Sequence, residues 1–128
     1  MAKRMLVIDD EQFVLQACRR VFTAEGYEVV VEPDGRKAKE MVLASFFDII
    51  LCDWQLTYNV DGLDLVEILD KRTTKSAIIM ISGYPAIERA TEAMRRGAVD
   101  YVAKPFTPEE IIEAVEKGLR YKSSQSPQ

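Results

Sequence analysis

Short apolar runs and amphipathic segments alternate along the chain. Leu6-Val7-Ile8, Val29-Val30-Val31, Ile49-Ile50-Leu51-Cys52, Ala77 to Ile81 and Val99 to Ala103 have the length of strands. The third run has no polar alternation, so both of its faces are expected to be buried. Between the runs, apolar residues recur at helical spacing. Phe13, Val14, Ala17, Val21 and Phe22 mark the first helix, and Ala38, Met41, Val42 and Ser45 the second. Leu63, Val66 and Leu69 mark a short third one. Ile87, Ala90, Ala93 and Met94 predict a fourth, and Ile111, Ile112, Val115 and Leu119 a fifth.

Punctuation between the segments agrees with this reading. Gly26 is placed to end the first helix, and Pro33-Asp34-Gly35 turns into the second. Arg95 and Arg96 fall in the last turn of the fourth, with Gly97 just past it. Thr107 and Glu110 read as a capping box, with Pro108 at the first helical position. Five strands alternating with five helices predict an α/β domain: one doubly wound, five-stranded parallel sheet joined by right-handed crossovers. Residues 1–122 are expected to form the domain, and 123–128, polar and Ser-rich, a tail or the start of a linker.

Composition narrows the chemistry. The 128 residues include 17 Lys+Arg and 21 Asp+Glu, a net charge of -4, which argues against a chain that coats nucleic acid. There is no histidine. Zinc enzymes, Ser-His hydrolases and Cys-His proteases are thereby disfavoured, and any metal must be held by oxygen, as Mg²⁺, Mn²⁺ or Ca²⁺ are. Cys18 and Cys52 form no CxxC pair and read as small buried hydrophobes of a reducing, cytoplasmic protein. No stretch is long and apolar enough to span a membrane, and the start runs straight into a strand, so no signal peptide is expected.

In a sheet of this kind, ligands bind beyond the carboxyl ends of the strands. The first strand ends in Asp9-Asp10-Glu11, the third in Asp53, the fourth in Ser82 and the fifth in Lys104. Singly, each has an ordinary reading. Asp10 and Glu11 could cap the first helix, Asp53 and Ser82 could be turn residues, and Lys104 could be solvated. Together Asp9, Asp10, Asp53, Ser82 and Lys104 place three acids, a hydroxyl and an ammonium along one edge. Clustered carboxylates repel unless a cation compensates, and a hard divalent cation does so. That set suits phosphoryl transfer with a carboxylate as nucleophile. There is no GxxxxGK[ST] loop, and no GxGxxG follows the first strand, so neither a P-loop nor a dinucleotide fingerprint is present.

Over residues 4 to 121 the chain closely resembles the receiver domains of two-component response regulators. The matching pieces are Val7-Ile8-Asp9-Asp10-Glu11, Ile50-Leu51-Cys52-Asp53-Trp54, Asp61-Gly62, Ile81-Ser82-Gly83-Tyr84, Gly97-Ala98 with Asp100-Tyr101, and Lys104-Pro105-Phe106. The resemblance implies a flavodoxin-like (βα)5 fold with strand order 2-1-3-4-5. It implies that Asp53 accepts phosphate from a histidine on a sensor kinase or phosphotransfer protein. It further implies that Asp9, Asp10, Asp53 and the backbone carbonyl of Gln55 bind Mg²⁺, with Mn²⁺ as the alternative. By the same resemblance, Lys104 pairs with a phosphoryl oxygen, the Lys104-Pro105 bond is cis, and Ser82 and Tyr101 are the switch pair. The fourth helix, fifth strand and fifth helix form the output face, a possible homodimer contact. No contact of this domain with nucleic acid or membrane is expected.

One segment departs from the family pattern. Thr57 stands where relatives have proline, and Asp61-Gly62 arrives one residue late. The loop from Gln55 to Val60 is thus expected to be longer, and mobile without metal. Two other readings remain. A pseudo-receiver would keep the fold as an interaction module without phosphorylation. An aspartyl-phosphate phosphatase would usually carry a second Asp two residues after the nucleophile, where this chain has Gln55.

Overall fold

The apolar runs become five strands of one parallel sheet. They are β1 (Arg4–Ile8), β2 (Glu28–Glu32), β3 (Ile49–Asp53), β4 (Ala77–Ser82) and β5 (Asp100–Ala103), in spatial order β2-β1-β3-β4-β5. The helices are α1 (Gln12–Ala24), α2 (Gly35–Ala44), α3 (64–68), α4 (Ile87–Arg95) and α5 (Pro108–Ser124). The computed structural model describes residues 2–54, 64–68, 75–83 and 87–124. Helix α5 thus carries two residues past the position where the sequence placed the edge of the domain.

Alternation along each strand assigns the helices to their faces. Leu6, Ile8, Ile50, Cys52, Ile78 and Met80 point to one side and pack with Ala38 and Val42 of α2, Leu65 and Val66 of α3, and Ala93 of α4. Met5, Val7, Ile49, Leu51, Ile79 and Ile81 point to the other and meet Val14, Leu15, Cys18 and Phe22 of α1 and Ile111, Ala114 and Val115 of α5. Every residue of β3 and β4 is buried, because each lies between two strands and under helices on both faces. The two cysteines are buried in clusters on opposite faces of the sheet and are not bridged.

Two apolar residues assigned to helix faces prove to be exposed. Phe13 is 84% exposed. The stripe that docks α1 runs through Val14, Cys18 and Phe22 with Leu15 beside it, and Phe13 lies off that stripe. Met94 is 46% exposed, because α4 docks through the neighbouring Ala93, which is fully buried.

The helix ends follow their local chemistry. At the end of α1 the Tyr27 N–H donates to Phe22 O and the Gly26 N–H to Thr23 O, with Gly26 at φ 95°. This is a Schellman closure, completed by an edge-to-face contact of Phe22 with Tyr27. Helix α4 closes in the same way, through Ala98 N–H to Ala93 O and Gly97 N–H to Met94 O. At α5 the Thr107 N–H donates to Glu110 Oε1 and the Glu110 N–H to Thr107 Oγ1, the capping box read from the sequence.

Candidate functional site

The register brings the strand ends to one edge. Ile8 sits opposite Cys52, Asp53 opposite Ile81, and Ser82 opposite Ala103. Asp9 therefore follows β1 next to the end of β3. Lys104 follows β5, and its N–H donates to Ser82 O. Asp9 is fully buried, and Asp53 and Ser82 are buried, whereas Asp10 is exposed. Gln55 lies outside the described residues, as do the loop 55–60, Asp61-Gly62 and Tyr84.

The N-cap of α1 is Glu11, not Asp10, and no side chain caps that end. The acids at the end of β1 are instead directed to the crevice. Asp9 Oδ1 accepts the Glu11 N–H at 2.9 Å, which fixes the carboxylate. Lys104 Nζ lies 2.8 Å from Asp9 Oδ2, 2.9 Å from Glu11 Oε1 and 3.1 Å from Asp53 Oδ2. One ammonium thus serves three carboxylates from β1, the start of α1 and β3. The contacts to Glu11 and Asp53 are hydrogen bonds. The contact to Asp9 Oδ2 is an ion pair without hydrogen-bond alignment, so that buried oxygen keeps unused acceptor capacity.

Burial pushes the Asp9 carboxyl up to about 6; the charge of Asp53 adds to the effect, and Lys104 and the Glu11 N–H oppose it. Burial alone would lower Lys104, but its contacts with Asp9, Glu11 and Asp53 outweigh that and hold it above the ordinary lysine range. Lys104 is therefore a fixed positive charge in this crevice.

Asp9, Asp10 and Asp53 each bring a carboxylate oxygen to within 4.8 Å of the others. The set is all oxygen, two members are buried, and Asp9 Oδ2 has no aligned donor. Those features fit a hard divalent cation, which binds oxygen and relieves the repulsion of gathered carboxylates.

Around this centre lie groups whose positions the sequence did not reveal. Trp54 packs edge to face on Tyr101, with centroids 6.3 Å apart. The Arg89 guanidinium of α4 sits 5.0 Å from the centre of the same indole. Glu11 stood out only as a possible cap, because its partner is 93 residues away. Arg96, expected in the last turn of α4, stands just past its end. It pairs with Glu92 and reaches Asp64 and Glu67, so it joins α4 to α3. On the other side of the site a mainly apolar groove of about 470 Å³ runs between α1 and the start of α5. Phe13, Val14, Ala17 and Phe106 line it, and Glu11 and Lys104 stand at its edge.

Comparison with known proteins agrees with this geometry. Residues 5–116 match the family model of the response regulator receiver domain. The regulatory protein AtoC of Escherichia coli is 31% identical over 120 residues, which are 94% of this chain and 26% of AtoC. The chain thus spans about a quarter of that relative. The chemotaxis protein CheY of Thermotoga maritima is 32% identical over 118 residues, 91% of this chain and 98% of CheY. A crystal structure of a response regulator from Burkholderia pseudomallei, with a phosphorylated aspartic acid, a calcium ion and citrate, superposes with a TM-score of 0.83. It is 29% identical, and the match covers 96% of this chain and 72% of that one. The five-stranded 2-1-3-4-5 sheet, the acid-lined edge and these matches agree: the chain belongs to the response regulator receiver domain family of two-component signalling.

Proposed function

We propose that this domain is a phosphoacceptor switch in which Asp53 takes a phosphoryl group from a phosphohistidine on a sensor kinase or phosphotransfer protein. The observation that carries the reading is the Lys104 ammonium 3.1 Å from Asp53 Oδ2, inside a cluster that also holds Asp9 and Asp10. A carboxylate oxygen of Asp53 attacks phosphorus, the P–N bond to the donor imidazole breaks, and that nitrogen leaves with the bonding pair. The donor belongs to the partner, since this chain contains no histidine. The domain promotes only its own phosphorylation and dephosphorylation.

Lys104 offers a fixed positive charge to a phosphoryl oxygen, so charge developing on that oxygen meets a counterion already in place. Asp9, Asp10 and Asp53 would hold Mg²⁺ (or Mn²⁺), with the Gln55 carbonyl as a further donor. The cation would supply neutralisation of the transferring oxygens. Ser82 Oγ is the hydroxyl assigned to the phosphoryl group, and Tyr101 is the aromatic that follows it. The apolar groove between α1 and α5 adjoins Lys104 and has an exposed Phe13 at its rim, which suits a helical donor protein brought up against Asp53.

Phosphorylation adds roughly 1.5–2 negative charges. The new oxygens favour the state in which Ser82 and Lys104 close on them, a population shift towards a changed α4-β5-α5 face. That face is the proposed contact for a second copy or an effector. The test is incubation with Mg²⁺ and a small acyl phosphate, read by intact mass. Addition of one phosphoryl group, absent in Asp53→Asn, is expected. No addition to the unaltered protein would favour the pseudo-receiver, and steady turnover of phosphate esters a phosphatase.

A further inference from the structure

Three carboxylates share the Lys104 ammonium, and they are not equivalent. Asp9 and Asp53 also belong to the oxygen cluster that fits a cation, whereas Glu11 does not. The Glu11 backbone is fixed at the N-cap of α1 by its N–H to Asp9 Oδ1. Its side chain has no capping role and reaches instead to Lys104 Nζ at 2.9 Å, with 59% exposure. With a cation on Asp9 and Asp53, Glu11 would be the carboxylate of the three that serves Lys104 alone. A divalent cation on those acids would repel the ammonium and weaken its hold at the site.

We infer that Glu11 is a positioning residue that holds the Lys104 ammonium over Asp53 while the acids around it are engaged elsewhere. The inference rests on the reading of Asp53 as phosphoacceptor. Lys104 stands between Glu11 and Asp53, so Glu11 acts through that ammonium. Its charge by itself has the opposite effect, because a carboxylate near the acceptor repels an anionic phosphoryl group. The sign of the effect therefore separates positioning from mere charge. Glu11 also stands at the edge of the groove between α1 and α5, so a partner lying there would touch the residue that sets the lysine.

The experiment is titration of the full chain with beryllofluoride at saturating Mg²⁺, followed by Trp54 fluorescence, for the unaltered protein, Glu11→Gln, Lys104→Met and the double variant. Positioning predicts that Glu11→Gln binds beryllofluoride about two- to fivefold more weakly, the range for losing a half-exposed ion pair. In the Lys104→Met background the same change should have no weakening effect, or should tighten binding slightly by removing a negative charge. Equal or tighter binding by Glu11→Gln alone would overturn the inference and leave the acceptor reading intact. So would equal weakening in both backgrounds, which would mean a structural effect independent of Lys104. No beryllofluoride binding by the unaltered protein would overturn the acceptor reading, and the inference with it. Thermal melts of all four proteins check that each is folded at the titration temperature.

Discussion

Trp54 meets Tyr101 edge to face at 6.3 Å, so the residue next to the candidate acceptor touches the aromatic of β5 directly. Edge-to-face pairs have a preferred geometry and are disturbed when either ring turns. Arg89 lies against the same indole, which links α4 to the contact. Trp54 is also the only tryptophan. Its emission is expected to change when Mg²⁺ and beryllofluoride are added. In Asp53→Asn the beryllofluoride response should vanish. In Tyr101→Leu the protein should still bind, with most of the emission change lost. An undiminished response in Tyr101→Leu would show that the indole senses the site without the aromatic pair.

Lys104 is the cation that neutralises a fully buried Asp9, and its own side chain is only 11% exposed. Breaking a buried ion pair from one side leaves a charge without compensation, which typically costs several kcal/mol. Lys104→Met is therefore expected to lower the stability of the metal-free protein by about 3 kcal/mol. Millimolar Mg²⁺ should recover part of the loss, because the cation binds the same carboxylates in the folded state. Urea unfolding with and without Mg²⁺ measures both. A variant as stable as the parent without metal would mean that the acids are compensated by something other than this lysine.

Much of the fold is legible in the sequence because period and punctuation agree. Ile49 to Cys52 reads as a strand buried on both faces, and Thr107 with Glu110 as the start of a helix, and both readings hold. The phase of α1 was less legible. Phe13 and Val14 are adjacent and both apolar, so periodicity alone leaves two stripes open, and packing against β1 and β2 selects the one through Val14, Cys18 and Phe22. The site residues at strand ends were readable because parallel strands place their carboxyl ends together. The reach of Glu11 to Lys104, and of Arg89 to Trp54, depends on long side chains crossing between elements, and no local pattern encodes that.

Cys18 gives a pH dependence with a definite sign. Burial pushes its thiol up from 9.0 to about 12, and the charge of Asp9 adds to the rise. Below pH 9 the thiol is protonated in both folded and unfolded chains and contributes no slope. Between pH 9 and about 12 the unfolded chain releases the proton and the folded one does not. The folded state then holds more protons, so stability falls as pH rises, at up to about 1.4 kcal/mol per pH unit. In Cys18→Ala that share of the alkaline loss should disappear, although the cavity lowers stability at neutral pH. Melting curves from pH 8 to 11 for the two proteins compare the slopes, and parallel slopes would remove Cys18 as the source. The same burial should leave native Cys18 slow to alkylate at pH 8.

Gly118 is buried where α5 packs on the sheet. A Cβ there would stand 3.0 Å from Val99 Cγ2, 3.5 Å from Ala77 Cβ and 3.7 Å from Ile79 Cδ1. Glycine inside a helix ordinarily costs roughly 1 kcal/mol relative to alanine, so its place here is set by packing rather than by helix formation. Val99 is β-branched and stiff, and it is held by its N–H to Ile78 O, so it has little room to yield. Gly118→Ala should therefore gain little or nothing from its better helix propensity. Gly118→Val adds further methyl groups against the same wall and is expected to cost about 1–3 kcal/mol by overpacking. Urea midpoints measure both. Because Val99 immediately precedes β5, the strand that leads to Lys104, the Val variant should also loosen the lysine, read as weaker beryllofluoride binding at saturating Mg²⁺. Unchanged binding in a destabilised Gly118→Val would show that α5 docks on the sheet without setting the position of Lys104.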